Sequence, residues 1–192
     1  MISLSKGQKI SLSKEAPGLT KFLAGLGWDV NSFDGADFDL DASAFLCDAS
    51  GKVTNENDDF IFYNHPIHSS QCVKSSGDNR TGLGDGDDET LDIDLGLVPS
   101  WCEKIAITAT IHDAVNRRQN FGDVSNAYIR LVNPLTGREV ARYDLTEDYS
   151  TETAIVVGEL YKHNGDWKFA AVGKGWQGGL AALCSYYGVD AA

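Results

Sequence analysis

Long apolar runs and export signals are missing from this 192-residue sequence. No stretch approaches the roughly 18 consecutive apolar residues that a transmembrane helix needs. Residues 1–6 contain neither the apolar core nor the small-residue cleavage site of a secretory signal peptide. The four cysteines are scattered without a CxxC spacing, and a chain without an export signal keeps its thiols reduced. We therefore expect a cytoplasmic location and four cysteines that serve as core residues.

Basic residues are scarce as well. The chain has 16 lysines and arginines against 28 aspartates and glutamates, which gives a net charge of -12. Binding to a nucleic-acid backbone requires basic patches that displace counterions. The composition therefore argues against nucleic acid as a partner.

Motifs of the common enzyme classes are largely absent. The chain contains neither the GxxxxGK(S/T) phosphate loop nor the GxSxG nucleophile motif. Residues 173–178 match GxGxxG, but no βαβ pattern surrounds them, so a dinucleotide site is not expected. His65 and His68 lack a third zinc ligand at a useful spacing and are expected to be turn residues. His112 and Asp113 form the best general-base pair, yet a histidine buried in a strand is the simpler expectation. The sequence therefore predicts a protein that is not an enzyme.

Short segments rich in β-forming residues occur along the chain, without long helical patterns between them. The predicted strands are 38–46, 59–64, 91–95 and 104–112, followed by two hairpins, 127–132 with 139–145 and 154–162 with 167–172. Short helices are predicted at 17–24 and 178–188, and the SLSK repeat at 3–6 and 11–14 predicts two strands of a hairpin. This spacing favours a mainly β fold, an antiparallel β-sandwich, in a single domain that spans residues 1–192.

Acidic charge is concentrated in one third of the chain. Residues 29–94 carry 16 acidic side chains against three basic ones, and the rest of the chain is nearly neutral. Compact folding brings these like charges together, which destabilises the fold unless cations restore the balance. The distribution therefore predicts bound cations.

The densest acidic segment is 77–89, which contains five carboxylates and four glycines. Ordering a glycine-rich loop costs about 1–2 kcal/mol per residue in backbone entropy, and repulsion between the carboxylates adds to that cost. A hard cation at the centre would offset both, because Ca²⁺ takes roughly six to eight oxygen ligands from carboxylates, amides and backbone carbonyls. Mg²⁺ relies on fewer carboxylates, so the number of acids favours Ca²⁺.

A second acidic cluster covers residues 29–41. Its DxDxD motif at 37–41 resembles the start of an EF-hand loop, but Ala42 stands where that loop needs Gly and Asp48 where it needs Glu. Strand alternation instead places the three aspartates of the motif on one edge, where they can face the 77–89 segment. Three simpler roles stay open for the acids: a solvated surface, outward-facing strand positions, and capping of the segment that follows residue 89.

Ten motifs of the sequence together resemble the TerD family of tellurium-resistance and stress-response proteins. They are GWD at 27–29, DFDLDASA at 37–44, DFIFYN at 59–64, GDNRTG at 77–82, GDDE at 86–89, IHDA at 111–114, NFG at 120–122, RYDL at 142–145, GELY at 158–161 and GGL at 178–180. These motifs extend almost from end to end of the chain. The stretch 65–71 differs from the usual family pattern, which affects the expected partner surface and not the metal site.

The resemblance implies a bacterial β-sandwich that binds Ca²⁺, with two ions expected, through acidic loops at one end. The implied ligands are Asp29, Asp39, Asp41, Asp78, Asn79, Asp85, Asp87 and Glu89, together with the backbone carbonyls of Gly84 and Gly86.

The resemblance also implies a role in resistance to tellurite, phage and colicins. The implied partners are proteins of the Ter system, including a membrane protein resembling TerC, which would place some of the protein at the periphery of the inner membrane. Direct tellurite binding is not expected, because tellurite is an oxyanion and the chain is strongly negative. A reductase would need a reactive cysteine pair or a redox cofactor site, and neither is recognisable.

We therefore expect a non-enzymatic Ca²⁺-binding protein that contributes to resistance indirectly, through calcium-dependent complex assembly or signalling. The alternative is a calcium-dependent lectin-like or lipid-headgroup-binding module. Its recognition surface would need exposed aromatic side chains beside the acidic loops, with Trp28 and Tyr63 as candidates.

Overall fold

The computed structural model describes residues 1–30, 37–76, 86–145 and 149–190. Twelve strands within these ranges form two sheets. In chain order they are β1 (Ile2–Leu4), β2 (Lys9–Ser11), β3 (Lys21–Gly27), β4 (Leu40–Cys47), β5 (Phe60–Ile61), β6 (Val73–Ser75), β7 (Glu89–Asp94), β8 (Lys104–Ile111), β9 (Tyr128–Val132), β10 (Glu139–Asp144), β11 (Ala154–His163) and β12 (Asp166–Trp176). The helices are α1 (Leu12–Glu15), α2 (Ala114–Arg117) and α3 (Gly179–Tyr187), with a 3-10 turn at Phe121–Asp123.

The two sheets pack face to face as a sandwich. The first sheet has the strand order β1-β10-β9-β3-β7-β6, and the second has the order β2-β12-β11-β8-β4-β5. Every pairing between strands is antiparallel except that of β1 with β10. The predicted fold class, a mainly β antiparallel sandwich with short helices, is therefore confirmed.

Strand β4 is covered on both faces, and all eight of its residues are buried. Leu40 and Leu46 belong to the core between the sheets, whereas Phe45 and Cys47 face the outside of the second sheet, where α3 packs. The ring of Tyr187 from α3 stacks on Phe45 at a centroid distance of 4.5 Å. A third layer thus covers part of the sandwich, which is why β4 lacks the exposed polar face of an ordinary outer strand.

The predicted C-terminal helix is confirmed as α3. It ends at Gly188, whose φ of 81° lies in the left-handed region that glycine adopts without strain. Both predicted hairpins are also present, and the Asn164–Gly165 pair forms the turn between β11 and β12 with positive φ at both residues.

Three sequence-based predictions at the N-terminal part and around β5 are wrong. Residues 17–24 contain no helix; β3 begins at Lys21, because Phe22, Ala24 and Leu26 alternate with a period of two and point into the core. The two SLSK repeats do not pair, since β1 and β2 enter opposite sheets. The strand predicted at 59–64 stops at Ile61, because the chain turns back at Phe62.

All four cysteines are buried and free, as the sequence predicts. Burial raises the pKa of Cys47 and of Cys102 to about 12, so their thiols stay protonated at neutral pH. Within the described ranges, no helix has the length and apolar character required to cross a membrane.

Candidate metal-binding site

Three strand ends that carry predicted ligands meet at one end of the sandwich. β3 ends at Gly27, β4 begins at Leu40 and β7 begins at Glu89. Because β3 and β7 are antiparallel, with Leu26 opposite Glu89, the end of one strand lies beside the beginning of the other. The described parts of both acidic clusters, residues 29–30, 37–41 and 86–89, therefore converge on this end, which we call the acidic end.

Glu89 links the two sheets at the acidic end. Its side chain is buried, and its carboxylate accepts a hydrogen bond from the backbone N–H of Ala42 in β4. β5 pairs with β4 only at Ala44 and Phe45, so it does not reach this N–H. Glu89 supplies the acceptor that the sheet lacks there. The contact holds the 86–89 end of the glycine-rich segment against the DxDxD segment.

Asp39 and Asp41 are buried rather than solvated, with 6% and 9% of their surface exposed. Asp39 lies 3.4 Å from the Arg117 guanidinium, measured between Oδ2 and Nη2. Asp41 Oδ2 is 4.0 Å from His112 Nδ1. His112 follows the end of β8 and its side chain is half exposed, so the expectation of a buried strand histidine is wrong. The outward, solvated role for the two aspartates is also excluded, because both side chains are buried.

Asp87 forms a two-pronged ion pair with Arg130, whose Nε and Nη2 atoms donate to Oδ1 and Oδ2 at 2.7 and 3.1 Å. Tyr128 donates its hydroxyl to Oδ1 of Asp87 at 3.1 Å and to the Gly86 carbonyl at 2.8 Å. Burial and the negative charge of Asp87 raise the pKa of Tyr128 to about 12, which keeps the phenol protonated. Gly25 allows this arrangement, because a Cβ there would lie 2.2 Å from the Asp87 carboxylate.

Asp88 and Asp29 are two further described acids on this side. Asp88 Oδ2 accepts a hydrogen bond from the Trp28 backbone N–H at 2.9 Å, and Asn126 donates to Asp29 Oδ2 at 2.6 Å. Burial raises the pKa of Asp88; the Trp28 N–H opposes that shift, and the negative charges of Asp87 and Asp29 add to it. Asp88 is therefore close enough to Asp87 and to Asp29 for their charges to repel it, which a bound cation would relieve. Asp88 is absent from the ligands predicted from the sequence.

The predicted ligands fall into two groups. Asp78, Asn79, Gly84 and Asp85 lie outside the residues that the structure describes. The other six lie at the acidic end. Within the described ranges, no three of their carboxylates are close enough to one another to bind the same metal ion. Arg117 and Arg130, which neutralise Asp39 and Asp87, were not foreseen in the sequence. Each arginine follows its partner by more than 40 residues in the chain, so no local pattern reveals the pair.

One aromatic side chain proposed for ligand recognition does not suit that role. Trp28 is 5% exposed, and its indole N–H donates to the Phe38 carbonyl at 3.2 Å. Its ring belongs to the core rather than to a binding surface. Tyr63 is 48% exposed, but it follows β5, which joins β4 at Ala44 and Phe45, away from the acidic end.

Within the described residues, a group with metal-compatible spacing consists of Asp58, Asp59 and His68. One ligand atom from each residue lies within 4.8 Å of the others. His65 and His68 are expected from the sequence to be turn residues, because a third zinc ligand at a useful spacing is not recognisable there. The missing carboxylates precede the histidines instead, and β5 with its turn brings the two parts together. The signal in the sequence was the pair Asp58–Asp59 immediately before the strand.

Comparison with known proteins gives a consistent result over the whole chain. Residues 1–187 match the TerD domain family. The chain is 61% identical over 190 residues to tellurium resistance protein TerD of Serratia marcescens, with 99% of this chain and 98% of that relative covered. It is 57% identical over 190 residues to general stress protein 16U of Bacillus subtilis, with 98% of both chains covered.

A solved structure agrees with the fold. The crystal structure of a homologue of telluride resistance protein (TerD) from Streptomyces coelicolor superposes with a TM-score of 0.71 at 21% identity, covering 86% of this chain and 95% of that one. The likeness supports the sandwich architecture. Together, the family match and the near full-length identity to its members show that the chain belongs to the TerD family of tellurium-resistance and stress-response proteins.

Proposed function

We propose that this protein is a non-enzymatic Ca²⁺-binding module that acts in tellurium resistance and stress response through calcium-dependent assembly or signalling. Relatives of 61% and 57% identity are named for tellurium resistance and for general stress. The proposal places the protein in the cytoplasm, with other Ter proteins as partners, including a membrane protein resembling TerC at the inner membrane. Two ions are expected.

The observation that carries the proposal is the contact of Glu89 with β4. It joins the two acidic segments of a region that holds 16 acids against three bases, and it does so in the core of the molecule. Burial raises the pKa of Asp88, and the negative charges of Asp87 and Asp29 raise it further, so this carboxylate lies among like charges. Hard oxygen donors in this number suit Ca²⁺. The chain's other predicted ligands, Asp78, Asn79, Gly84 and Asp85, would complete the sites.

An indirect role in tellurium resistance follows from charge and thiol chemistry. A protein of net charge -12 repels an oxyanion such as tellurite over much of its surface. Reduction of tellurite by cysteine would need a thiolate, and burial raises the pKa of all four thiols. These properties support a module that binds a cation and not a tellurite-processing enzyme.

Calorimetric titration of metal-free protein with Ca²⁺ and with Mg²⁺ tests the proposal. We expect Ca²⁺ to bind more tightly and to raise the unfolding free energy by about 2.7 kcal/mol at a hundredfold excess over its Kd. Asp41→Asn should weaken binding, whereas Asp166→Asn, at an exposed hairpin turn, should leave it unchanged. No heat of binding and an unchanged melting temperature at millimolar Ca²⁺ would contradict the proposal.

The lectin-like or lipid-headgroup-binding alternative is less well supported. Its best aromatic candidate beside the acidic loops, Trp28, is a core residue. A screen of glycans and lipid headgroups in the presence of Ca²⁺ separates the alternatives, since the proposal expects binding to neither.

A further inference from the structure

The turn around β5 gathers four metal-ligating side chains within eleven residues. Asp58 and Asp59 immediately precede β5, and His65 and His68 follow it. The chain reverses at Phe62, whose backbone N–H and carbonyl both bond to His65, at 3.1 and 3.0 Å. This reversal brings the histidines back onto the two aspartates.

The distances between the donor atoms match those around a small divalent ion. His68 Nε2 lies 3.3 Å from Asp59 Oδ1 and 3.5 Å from Asp58 Oδ2. His65 Nε2 lies 3.7 Å from Asp58 Oδ1. A tetrahedral ion with nitrogen and oxygen ligands at about 2.0–2.2 Å separates neighbouring ligands by roughly 3.3–3.6 Å. Asp58, Asp59 and His68 would therefore need little movement to surround such an ion. His65, which among these residues contacts only Asp58, would have to move closer to complete the set.

Both carboxylates are held in place by neighbouring donors. Asp59 Oδ2 accepts hydrogen bonds from the Thr54 hydroxyl and the Asn55 backbone N–H, each at 2.8 Å, which leaves Oδ1 facing His68. Ser69 donates its backbone N–H and its hydroxyl to the two oxygens of Asp58. Such outer contacts orient the ligands of metal sites before the ion binds.

Burial makes an unfilled cluster costly. The side chains of Asp59 and His68 are each 3% exposed, and a buried carboxylate beside a second one destabilises a fold unless it is paired with positive charge. His65 Nε2 is buried and, within the described residues, has no hydrogen-bond partner. A divalent cation would neutralise the two carboxylates and give His65 the partner it lacks.

The second ring nitrogen of His68 can adapt to such an ion. Its Nδ1 atom lies 3.0 Å from the Ser70 backbone N–H, which donates to it, so without an ion the ring proton resides on Nε2. The Ser70 hydroxyl is 2.9 Å from the same atom and can accept a hydrogen bond from it once Nδ1 carries the proton. Binding of an ion at Nε2 would therefore require the ring proton to move to Nδ1, where the Ser70 hydroxyl would replace the Ser70 N–H as its partner.

We propose that Asp58, Asp59, His65 and His68 form a metal site, distinct from the proposed calcium sites, that takes a transition ion of the Zn²⁺ class. Two imidazoles beside two carboxylates favour zinc and related ions over Ca²⁺, which prefers oxygen ligands alone. The site is separate from the acidic end. Leu46 donates its N–H to the Asp59 carbonyl, and Leu46 follows Asp41 by five residues of β4, or about 17 Å. The proposed zinc-class site does not depend on calcium binding.

Titration of tag-free, chelator-treated protein with Co²⁺ tests this site, because tetrahedral cobalt absorbs visible light. We expect one equivalent of Co²⁺ to give an intense visible band that lacks thiolate charge transfer, to be displaced by one equivalent of Zn²⁺, and to persist in millimolar Ca²⁺. The ring nitrogens of His65 and His68 should shift in NMR spectra upon Zn²⁺ binding.

The chain offers a matched control, since two of its four histidines lie outside the cluster. His65→Gln and His68→Gln should each weaken Co²⁺ binding at least about tenfold. His163→Gln, at an exposed turn, should leave it unchanged. His65 is a third exposed, so its variant should fold even if the His68 variant does not. A missing cobalt band in the wild type, or equal affinity in wild type and His65→Gln, would overturn the proposal. Asp41→Asn should keep the band, which separates this outcome from that of the calcium proposal.

Discussion

The acidic end and the turn around β5 lie near opposite ends of β4, and they hold their carboxylates in different ways. At the acidic end, three of the described acids are matched by distant parts of the chain: Asp87 by Arg130, Asp39 by Arg117, and Glu89 by the Ala42 N–H. At the turn, the acids and their partners come from one short stretch. A high count of acids reveals the first region in the sequence, whereas only the path of the chain reveals the second.

The comparison predicts that the acidic end depends most on Glu89. Glu89→Ala leaves the Ala42 N–H buried without an acceptor and should lower the free energy of unfolding by about 1–3 kcal/mol, even without calcium. Urea unfolding of the metal-free protein measures this effect.

Glu89→Gln serves as the matched variant, because its amide oxygen can still accept the bond while the charge is removed. It should retain most of the stability and lose calcium affinity. Equal stability of Glu89→Ala and the wild type would show that the two sheets are not joined through this side chain.

A smaller effect is expected at the turn. Asp59→Asn keeps one oxygen for Thr54 and Asn55 but can direct an amide N–H towards His68 Nε2, which also carries a proton in the metal-free state. We expect a loss of about 1 kcal/mol in unfolding free energy, together with loss of Zn²⁺ stabilisation and an unaltered response to Ca²⁺. If Asp59→Asn abolished the calcium response, the two regions would not be independent.

Arg130→Gln tests whether Asp87 is a calcium ligand. The Arg130 side chain is 29% exposed but that of Asp87 is only 7% exposed, so removing the arginine leaves a largely buried carboxylate unpaired and should lower the free energy of unfolding. If Asp87 is a calcium ligand, release from the arginine should raise calcium affinity severalfold in a calorimetric titration. Arg138→Gln, at an exposed turn, provides the control for the loss of one positive charge. Unchanged affinity in Arg130→Gln would assign Asp87 to structure alone.

The smallest effect concerns the thiols, which we expect to take no part in either region. A pKa of about 12 for Cys47 in place of 9.0 lowers its thiolate fraction at pH 8 by about a thousandfold. Ellman's reagent should therefore react with the native protein only slowly, and Zn²⁺ should not change that rate. Rapid labelling that Zn²⁺ suppresses would indicate thiolate ligands instead of the histidines.

Local sequence features gave correct predictions, and features that depend on distant pairing did not. The β11–β12 hairpin follows from the Asn164–Gly165 turn, and α3 follows from its apolar spacing and Gly188. β1 and β2 enter different sheets because they pair with residues far along the chain, β1 with β10 at Ala141 and β2 with β12 at Phe169. The pattern of the N-terminal residues alone does not reveal these partners. Likewise, the acids of the candidate site could be predicted from charge, but the arginines that neutralise them could not.

The placement of β1 and β2 has a consequence for solubility. β1 pairs with β10 and β2 pairs with β12. The first eleven residues therefore cover one edge of each sheet and keep it from pairing with strands of other molecules. A proteolytic cut or a bulky fusion that displaced this N-terminal segment would expose β10 and β12 as unpaired edge strands at the same time. The sandwich could then recruit further copies edge to edge and polymerise, while its interior stayed intact.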